Sequence, residues 1–544
     1  MKRQNNEEKL HSYVNSANDS ETGRGLSRRD YLGTTIGAAV GLAGLATLGD
    51  RARAADDWYT GYADDYETVV DVTEAGADDT GGESITSVLE ANAGNDTLLV
   101  FPSGEYRMNE QFRFTGFTNF GMVGNDATIV PGTIESIYRN VVTAGEFDGA
   151  ARLFRLGVSY APGEDLLVEG FNFDFTAAST GVRAIEAYVT DDMDVRDIDV
   201  IGEHDTGTFG PAMFSVTEPD GIATVEGFRA PDGAAFTEDT VGDITVGPTG
   251  ILVPPSHNGK LWFRDCELGS FPDNGLYASS PNGRVIVQGG TFRNSNVSNI
   301  RLMGDYSYVL DATIVIDDLL DGHTQTGIRL DRGKHLWVYN TTIDAPVPNG
   351  PVIRIQDEAT SARIQETSIS VGDRPSHAIT MSPEAGVVDI FDTDIGFDGS
   401  GHAVQVNGYN DDRDGPVTLR RVTITGDASG EHGRNAIRVM RQGCVLDDVV
   451  VEQPGSHYRR AVELHGDDVR ITGGTYRSTH HPIVNVADGT VIEGVTARSY
   501  DGYKALKLYD GYSDVTVTDS VLYGGIMDRG VENLTLSGNT YPDA

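Results

Sequence analysis

Cysteine is almost missing from this chain: 544 residues hold two, Cys266 and Cys444. A disulfide framework is therefore excluded. Lysine is nearly as scarce, and beyond residue 54 only Lys260, Lys334, Lys504 and Lys507 occur. Acidic residues outnumber basic ones by 82 to 41, a formal charge of −41. A field of that sign repels phosphate backbones, so nucleic acid is excluded as a partner. After residue 54 no apolar run is long enough for a membrane-spanning helix. Zinc, nucleophile-elbow and phosphate-loop motifs do not occur in the contexts their chemistry needs.

What is present begins with a leader. "LSRRDYLGTTIGAAVGLAGLATLGDRARA" carries the pair Arg28-Arg29, a short apolar stretch and the Ala52-Arg53-Ala54 site. With Ser27, Tyr31 and Leu32 it resembles a twin-arginine (Tat) export signal over 1–54. The resemblance implies a product secreted or displayed at the cell surface, with no transmembrane segment in the mature chain. Removing 1–54 leaves 33 Lys/Arg against 76 Asp/Glu, a net −43. Such acidity, with arginine replacing lysine, resembles proteins of extremely halophilic archaea, where molar salt screens the charge.

From residue 116 a phrase recurs. It reads apolar–x–apolar, a polar kink, then a second short alternation: "LWFRDCELGS" (261–270), "VLDATIVI" (309–316), "LWVYNTTI" (336–343), "VDIFDTDI" (388–395), "VTVTDSVLYG" (515–524). A second series supplies inward apolar pairs: Leu276/Ala278, Ile300/Leu302, Ile328/Leu330, Ile353/Ile355, Ile379/Met381, Val404/Val406, Ile437/Val439, Val462/Leu464, Val484/Val486 and Leu506/Leu508. Period-two alternation means strands with one buried face. A repeat of roughly 19–29 residues means stacked units that bury a core only together. Two or three strands per unit, without Trp-Asp or Gly-His signatures, favour coils over propeller blades. The expectation is an all-β, parallel β-helix (solenoid) of roughly a dozen or more coils. The stack separates Cys266 and Cys444 by about seven coils, beyond disulfide reach, so both thiols are expected free and buried.

Ahead of the coils, residues 69–108 predict a short helix over Ser84–Asn92 with Ile85, Val88 and Leu89 on one face. The strand "TLLVF" and the turn "PSGEY" come next. Gly76-Ala77, Asp78–Thr80 and Phe101-Pro102-Ser103-Gly104-Glu105-Tyr106 resemble the N-terminal cap of the pectate lyase-like superfamily. This resemblance implies a right-handed β-helix, with a cap at 55–115 and coils at 116–544. The superfamily spans lyases, hydrolases, esterases, epimerases and non-catalytic adhesins, so it implies a fold more than a reaction. One stretch, 203–250, reads as an insertion between coils.

In stacked coils the outward residue between each inward pair forms a row: Tyr277, Arg301, Arg329, Arg354, Thr380, Gln405, Arg438, Glu463, Asn485, Lys507. Three consecutive arginines at ~4.8 Å repel unless counter-charges or an anionic ligand intervene. Arginine's planar fork suits carboxylate and sulfate groups. Asp305, His323, Asp331, Arg332 and Asp357 lie nearby in sequence. The patch reads as a groove for an acidic, uronate-containing polysaccharide, and the superfamily resemblance implies cleavage by β-elimination. There, arginine or carboxylate-held Ca²⁺ neutralises the uronate, and arginine or lysine removes the C5 proton. Arg329, Arg301 and Asp331 are the catalytic candidates. Tyr277, His323, Arg332 and Arg354 are the substrate-binding candidates, and Asp305 and Asp357 the candidate Ca²⁺ ligands. A plain surface ion-pair network is the alternative for each residue. For the whole chain the alternatives are a glycan-binding or adhesin-like protein and a polygalacturonase-type hydrolase. The hydrolase family's Asn-Thr-Asp, Gly-His-Gly and Arg-Ile-Lys motifs are absent, Arg354-Ile355 being followed by Gln356. "NDDRDG" (410–415) has half of a Ca²⁺-loop pattern but Arg421 at its twelfth position, and reads as an acidic turn.

Overall fold

The structure is a computed structural model that describes residues 58–544 apart from 243, 245, 246, 320–323 and 431–433. The leader at 1–54 and His323 lie outside the described residues. Described residues up to Asp65 belong to one unit, with a helical turn at Thr60–Ala63, and Tyr66–Ala544 form a second. The second unit is a right-handed parallel β-solenoid of about 17 turns. Among the described residues no helix is long and apolar enough to cross a membrane.

The strands pair in register one coil above the next. Thirty-one belong to one continuous sheet and sixteen to another. Early coils use long bent strands, Thr118–Pro131, Glu164–Asp174, Met193–Ile201 and Ile222–Ala230. Later coils split the same path in two, as in Lys260–Arg264 and Glu267–Gly269. The split falls on the polar kink of the repeat. Asp265, Asp311, Asn340, Asp392, Asp448 and Asp519 occupy it with φ between 47° and 56°. That left-handed corner favours Asn, Asp and Gly, whose short or absent side chains tolerate it. Glu366 and Arg421 hold the same corner at 51°, so the preference is strong without being absolute. The side chains also link coils, Asn340 Nδ2 donating to Asp311 Oδ1 at 2.7 Å.

The helix forms at Thr86–Asn92, with Ile85 at its N-cap and Ile85, Thr86 and Leu89 buried. Inside the stack, the inward pairs from Leu276/Ala278 to Val462/Leu464 are fully buried. One pair is corrected. Ile483 and Asn485, not Val484 and Val486, continue the inward ladder. Val484, not Asn485, therefore stands in the outward row between Glu463 and Lys507. Asn485 is tolerated inside because its amide donates to the Ala487 carbonyl and accepts from the Thr490 hydroxyl, both at 2.9 Å.

Residues 203–250 depart from the repeat less than their sequence suggests. Ala212–Val216 joins the sixteen-stranded sheet and Ile222–Ala230 the larger one, so a coil lies inside this stretch. The departure is confined to the segment between Ala230 and Ile251, which carries a short helical turn at Thr237–Asp239. A second departure has no counterpart in the sequence pattern: Ile134–Tyr138, Val141–Gly145 and Gly149–Ala150 form a small antiparallel sheet. Both thiols are free and buried, and burial pushes each up to about 12, which leaves them unreactive.

His204, His257 and His402 are held neutral inside the stack. Burial lowers His257 and His402 to about 4 and His204 to about 3. His257 Nδ1 accepts from the Val216 amide at 3.1 Å while Nε2 donates to the Arg284 carbonyl at 3.2 Å, a pattern that only the neutral ring satisfies. The unfolded chain binds these protons near pH 6.5 and the folded chain does not. Their contribution to stability is therefore complete above about pH 6.5 and lost as pH falls through about 4. Between pH 7 and pH 5 the urea midpoint of the native protein is expected to fall relative to that of His257→Gln, which has no ring to protonate. Equal changes in the two proteins would contradict a buried neutral His257.

Candidate functional site

The outward row runs through all sixteen strands of the smaller sheet. Register fixes its order: Arg113, Arg155, Glu186, Met213, Leu252, Tyr277, Arg301, Arg329, Arg354, Thr380, Gln405, Arg438, Glu463, Val484, Lys507 and Met527. Six of these are arginines, in a chain whose net charge is −41. The surface therefore presents cations along one line of an otherwise anionic molecule.

At its centre the structure joins four of the candidate residues. Asp331 stands two residues beyond Arg329 on the strand Ile328–Gly333, hence on the same face. A register shift after Leu302 and Leu330 leaves Asp331 without a direct partner in the preceding coil, a bulge of the kind that re-aims a side chain. Its carboxylate is buried and clamped. Arg301 donates through Nε at 2.7 Å and Nη2 at 2.6 Å to Oδ2, and Arg329 Nε donates at 2.5 Å to Oδ1. The Arg301 guanidinium also lies over the Tyr277 ring at 4.3 Å. Burial raises the Tyr277 phenol, with Arg301 opposing. In the amide orientation that satisfies both of its neighbours, Gln356 accepts from Nε and Nη2 of Arg329 and donates to Ser382 Oγ, at 3.2 Å each. Arg354, next in the row, has no ion-pair partner among the described residues.

The remaining candidates lie at the margin. Arg332 pairs with Glu358 at 3.3 Å, both well exposed. Asp305 holds Lys334, through the backbone amide at 2.9 Å and Nζ at 3.4 Å. Asp357 is exposed in the strand beyond Arg354. Among the described residues no group of three or more His, Cys, Asp or Glu side chains converges to hold a metal ion. In the 410–415 turn, Asp414 accepts from the Tyr409 and Asn410 amides at 2.8 Å each, and Asp411 pairs with Arg413 at 2.6 Å. These two carboxylates are occupied by the turn itself.

Asp273, which leads into the Tyr277 strand, sits beside the centre with its carboxyl raised, chiefly by burial, against the lowering effect of Thr249, whose hydroxyl donates at 2.6 Å. One feature was missed by the sequence pattern. Arg113 and Arg155 extend the row upstream. Their signal was present: Phe112-Arg113-Phe114 and Phe154-Arg155-Leu156 repeat the apolar–Arg–apolar triplet of Ile300-Arg301-Leu302. A cavity of about 720 Å³ also opens beside the segment after Ala230, lined by Glu203, Asp205, Glu238, Asp239 and Asp318. Its lining carries carboxylates and no cation, so it repels the ligand that the row attracts.

No protein-family model matches this chain, and no curated protein matches it. Solved structures similar to it include the surface adhesin PfbA of Streptococcus pneumoniae, at 11% identity over 87% of this chain and 93% of the other, TM-score 0.31. Another is the catalytic unit of an alpha-1,3-glucanase from Streptomyces thermodiastaticus, at 13% identity over 87% and 68%, TM-score 0.31. A third is the N-terminal fragment of gene product 12 from bacteriophage Phi29, at 10% identity over 87% and 93%, TM-score 0.48. At these identities and scores the likeness carries nothing about activity. The class that the chain defines is a parallel β-solenoid with a cationic row on one sheet.

Proposed function

We propose that this is an extracellular, carbohydrate-associated β-helix protein that binds an acidic polysaccharide along the arginine row. One observation carries the reading: consecutive coils stack Arg301, Arg329 and Arg354 on one line of a chain with net charge −41. A polyuronate supplies carboxylates at regular intervals, which forked guanidinium groups bind as paired hydrogen bonds.

The finer reading is a lyase. In β-elimination a base takes the C5 proton, the electrons form a C4–C5 double bond, and the C4–oxygen bond breaks. Arg354 is the cation available to neutralise the uronate carboxylate. Arg301 and Arg329 donate to Asp331, so one of them must leave it before acting as a base. Asp305 and Asp357 would contribute to a Ca²⁺ site only together with substrate oxygens. That clamp also favours a second reading, a glycan-binding protein without cleavage, since a guanidinium committed to a carboxylate serves as a fixed cation. The hydrolase reading draws on Asp273 and Asp331, two carboxyls near Tyr277.

The test offers pectate, alginate and glycosaminoglycans to the purified protein, with and without Ca²⁺ and chelator. Ultraviolet absorbance from unsaturated uronate is the expected result. New reducing ends without that absorbance would replace the lyase by a hydrolase. Binding without either product would leave the glycan-binding protein, and no binding would overturn the proposal.

A further inference from the structure

Upstream of the centre the row holds a second cluster, built from three strands. Glu186 is almost fully buried on Arg183–Val189. Three guanidinium groups converge on it. Arg152 Nε donates to Oε2 at 2.6 Å, Arg155 Nε to Oε1 at 2.8 Å and Arg183 Nη1 to Oε2 at 2.8 Å. Arg183 is itself buried, its Nε donating to the Gly210 carbonyl at 3.1 Å and its guanidinium lying over the Phe209 ring at 4.9 Å. Arg113, one coil before Arg155, donates to the Tyr160 hydroxyl at 2.8 Å. Among the described residues, these four cations have Glu186 as their one paired acid. Like charges so close are unfavourable unless an anion joins them. Arg152 and Arg155 are partly exposed, each with its Nε engaged by Glu186 and its terminal nitrogens left as donors.

We infer that Arg113, Arg152 and Arg155, backed by the buried Arg183, form a second anion-binding subsite, for a carboxylate or sulfate group, on the same track as the Arg301–Arg329–Arg354 centre. The row places Glu186 five coils from Arg329, through Met213, Leu252, Tyr277 and Arg301, a separation of about 24 Å. Between them Met213 and Leu252 offer no charge, so a bound chain is held at its two ends. Long polyanions engage both clusters and short ones engage one, which multiplies affinity with chain length. The anion site stands on its own charge balance; its partnership with the centre rests on the polysaccharide reading above.

The test has two arms. Crystals soaked in selenate are expected to show anomalous density against the terminal nitrogens of Arg152 and Arg155. In solution, the double variant Arg152→Gln/Arg155→Gln is expected to bind long-chain polygalacturonate about 100-fold more weakly and trigalacturonate unchanged. Glu186 keeps its bond to Arg183 in that variant, so the buried carboxylate is not orphaned. Absent selenate density at this cluster would overturn the inference even if the centre binds sugar. Equal losses for both sugars, or no loss for either, would overturn the shared track. If native protein bound neither sugar but selenate did occupy the cluster, the polysaccharide reading would fall and the anion site would stand.

Discussion

Arg329→Ala is expected to abolish product formation from an acidic polysaccharide, a loss of about 1,000-fold, and to weaken binding of that polymer. Arg329 is the middle cation of three and the partner of Asp331 Oδ1. Its removal leaves Arg301 and Arg354 two coils apart, about 10 Å, with no guanidinium between them. Asp331→Asn separates positioning from binding. The change frees both guanidiniums from a full negative charge, so polymer affinity is expected to hold or rise at low salt. Turnover is expected to fall, because Arg301 and Arg329 lose the carboxylate that fixes them. Loss of kcat with affinity retained would mark Asp331 as a positioning residue. Loss of binding alone in Arg329→Ala, with no product formed by native protein, would mark the row as a recognition surface only.

The largest effect on stability is expected from Arg441→Leu. This arginine is fully buried and has no carboxylate partner among the described residues; it satisfies backbone carbonyls instead. Nη1 donates to Ala385, Gly386 and Gly415 at 2.8, 3.0 and 3.1 Å. Nη2 donates to Ser382 and Pro383 at 2.9 and 3.3 Å, and Nε to Asn407 at 3.1 Å. Those carbonyls belong to turns of successive coils, so one side chain ties the stack along its axis. Burial lowers its pKa, but six acceptors compensate the charge. Leucine fills part of the volume and leaves most of these carbonyls unpaired, the Ser382 carbonyl keeping the Ala385 amide at 3.1 Å, at a cost of about 4 kcal/mol. Lysine presents a point charge that cannot reach all of these turns, and is expected to rescue only part of the loss. Urea unfolding gives the magnitude, and hydrogen exchange should show lost protection around 382–386 and 407–415. A change below about 1 kcal/mol for Arg441→Leu would mean that water replaces the guanidinium.

Arg441 and Arg459 mark the limit of what local sequence encodes. Both lie outside the strands, and neither the inward alternation nor the outward row marks them. Arg459 is equally buried, donating to Gln453 Oε1 at 2.9 Å and the Gly401 carbonyl at 2.7 Å, and burial brings it down to about 9. Carbonyl acceptors of this pair lie 26 to 59 residues away along the chain. No local pattern encodes such a partner, because any residue supplies a carbonyl.

The sequence by itself determined the stack. Alternation at period two, repeated coil after coil, buries Ile300, Leu302, Ile328 and Leu330 together only when the coils are in register. That register puts Arg301, Arg329 and Arg354 on successive coils of one line. The Asn and Asp corners were legible for a related reason, since a left-handed turn favours the residues that hold it without strain. Tertiary structure alone decided what the row's charges do. Asp331 clamps Arg301 and Arg329 through a bulge, Glu186 gathers three arginines, and Asn485 takes an inward place that Val484 was expected to fill. Each outcome depends on a shift of one residue in register or on the reach of a single side chain. Burial imposes the repeat on the chain; charge pairing is then settled by whichever side chains the folded coils bring within hydrogen-bond distance.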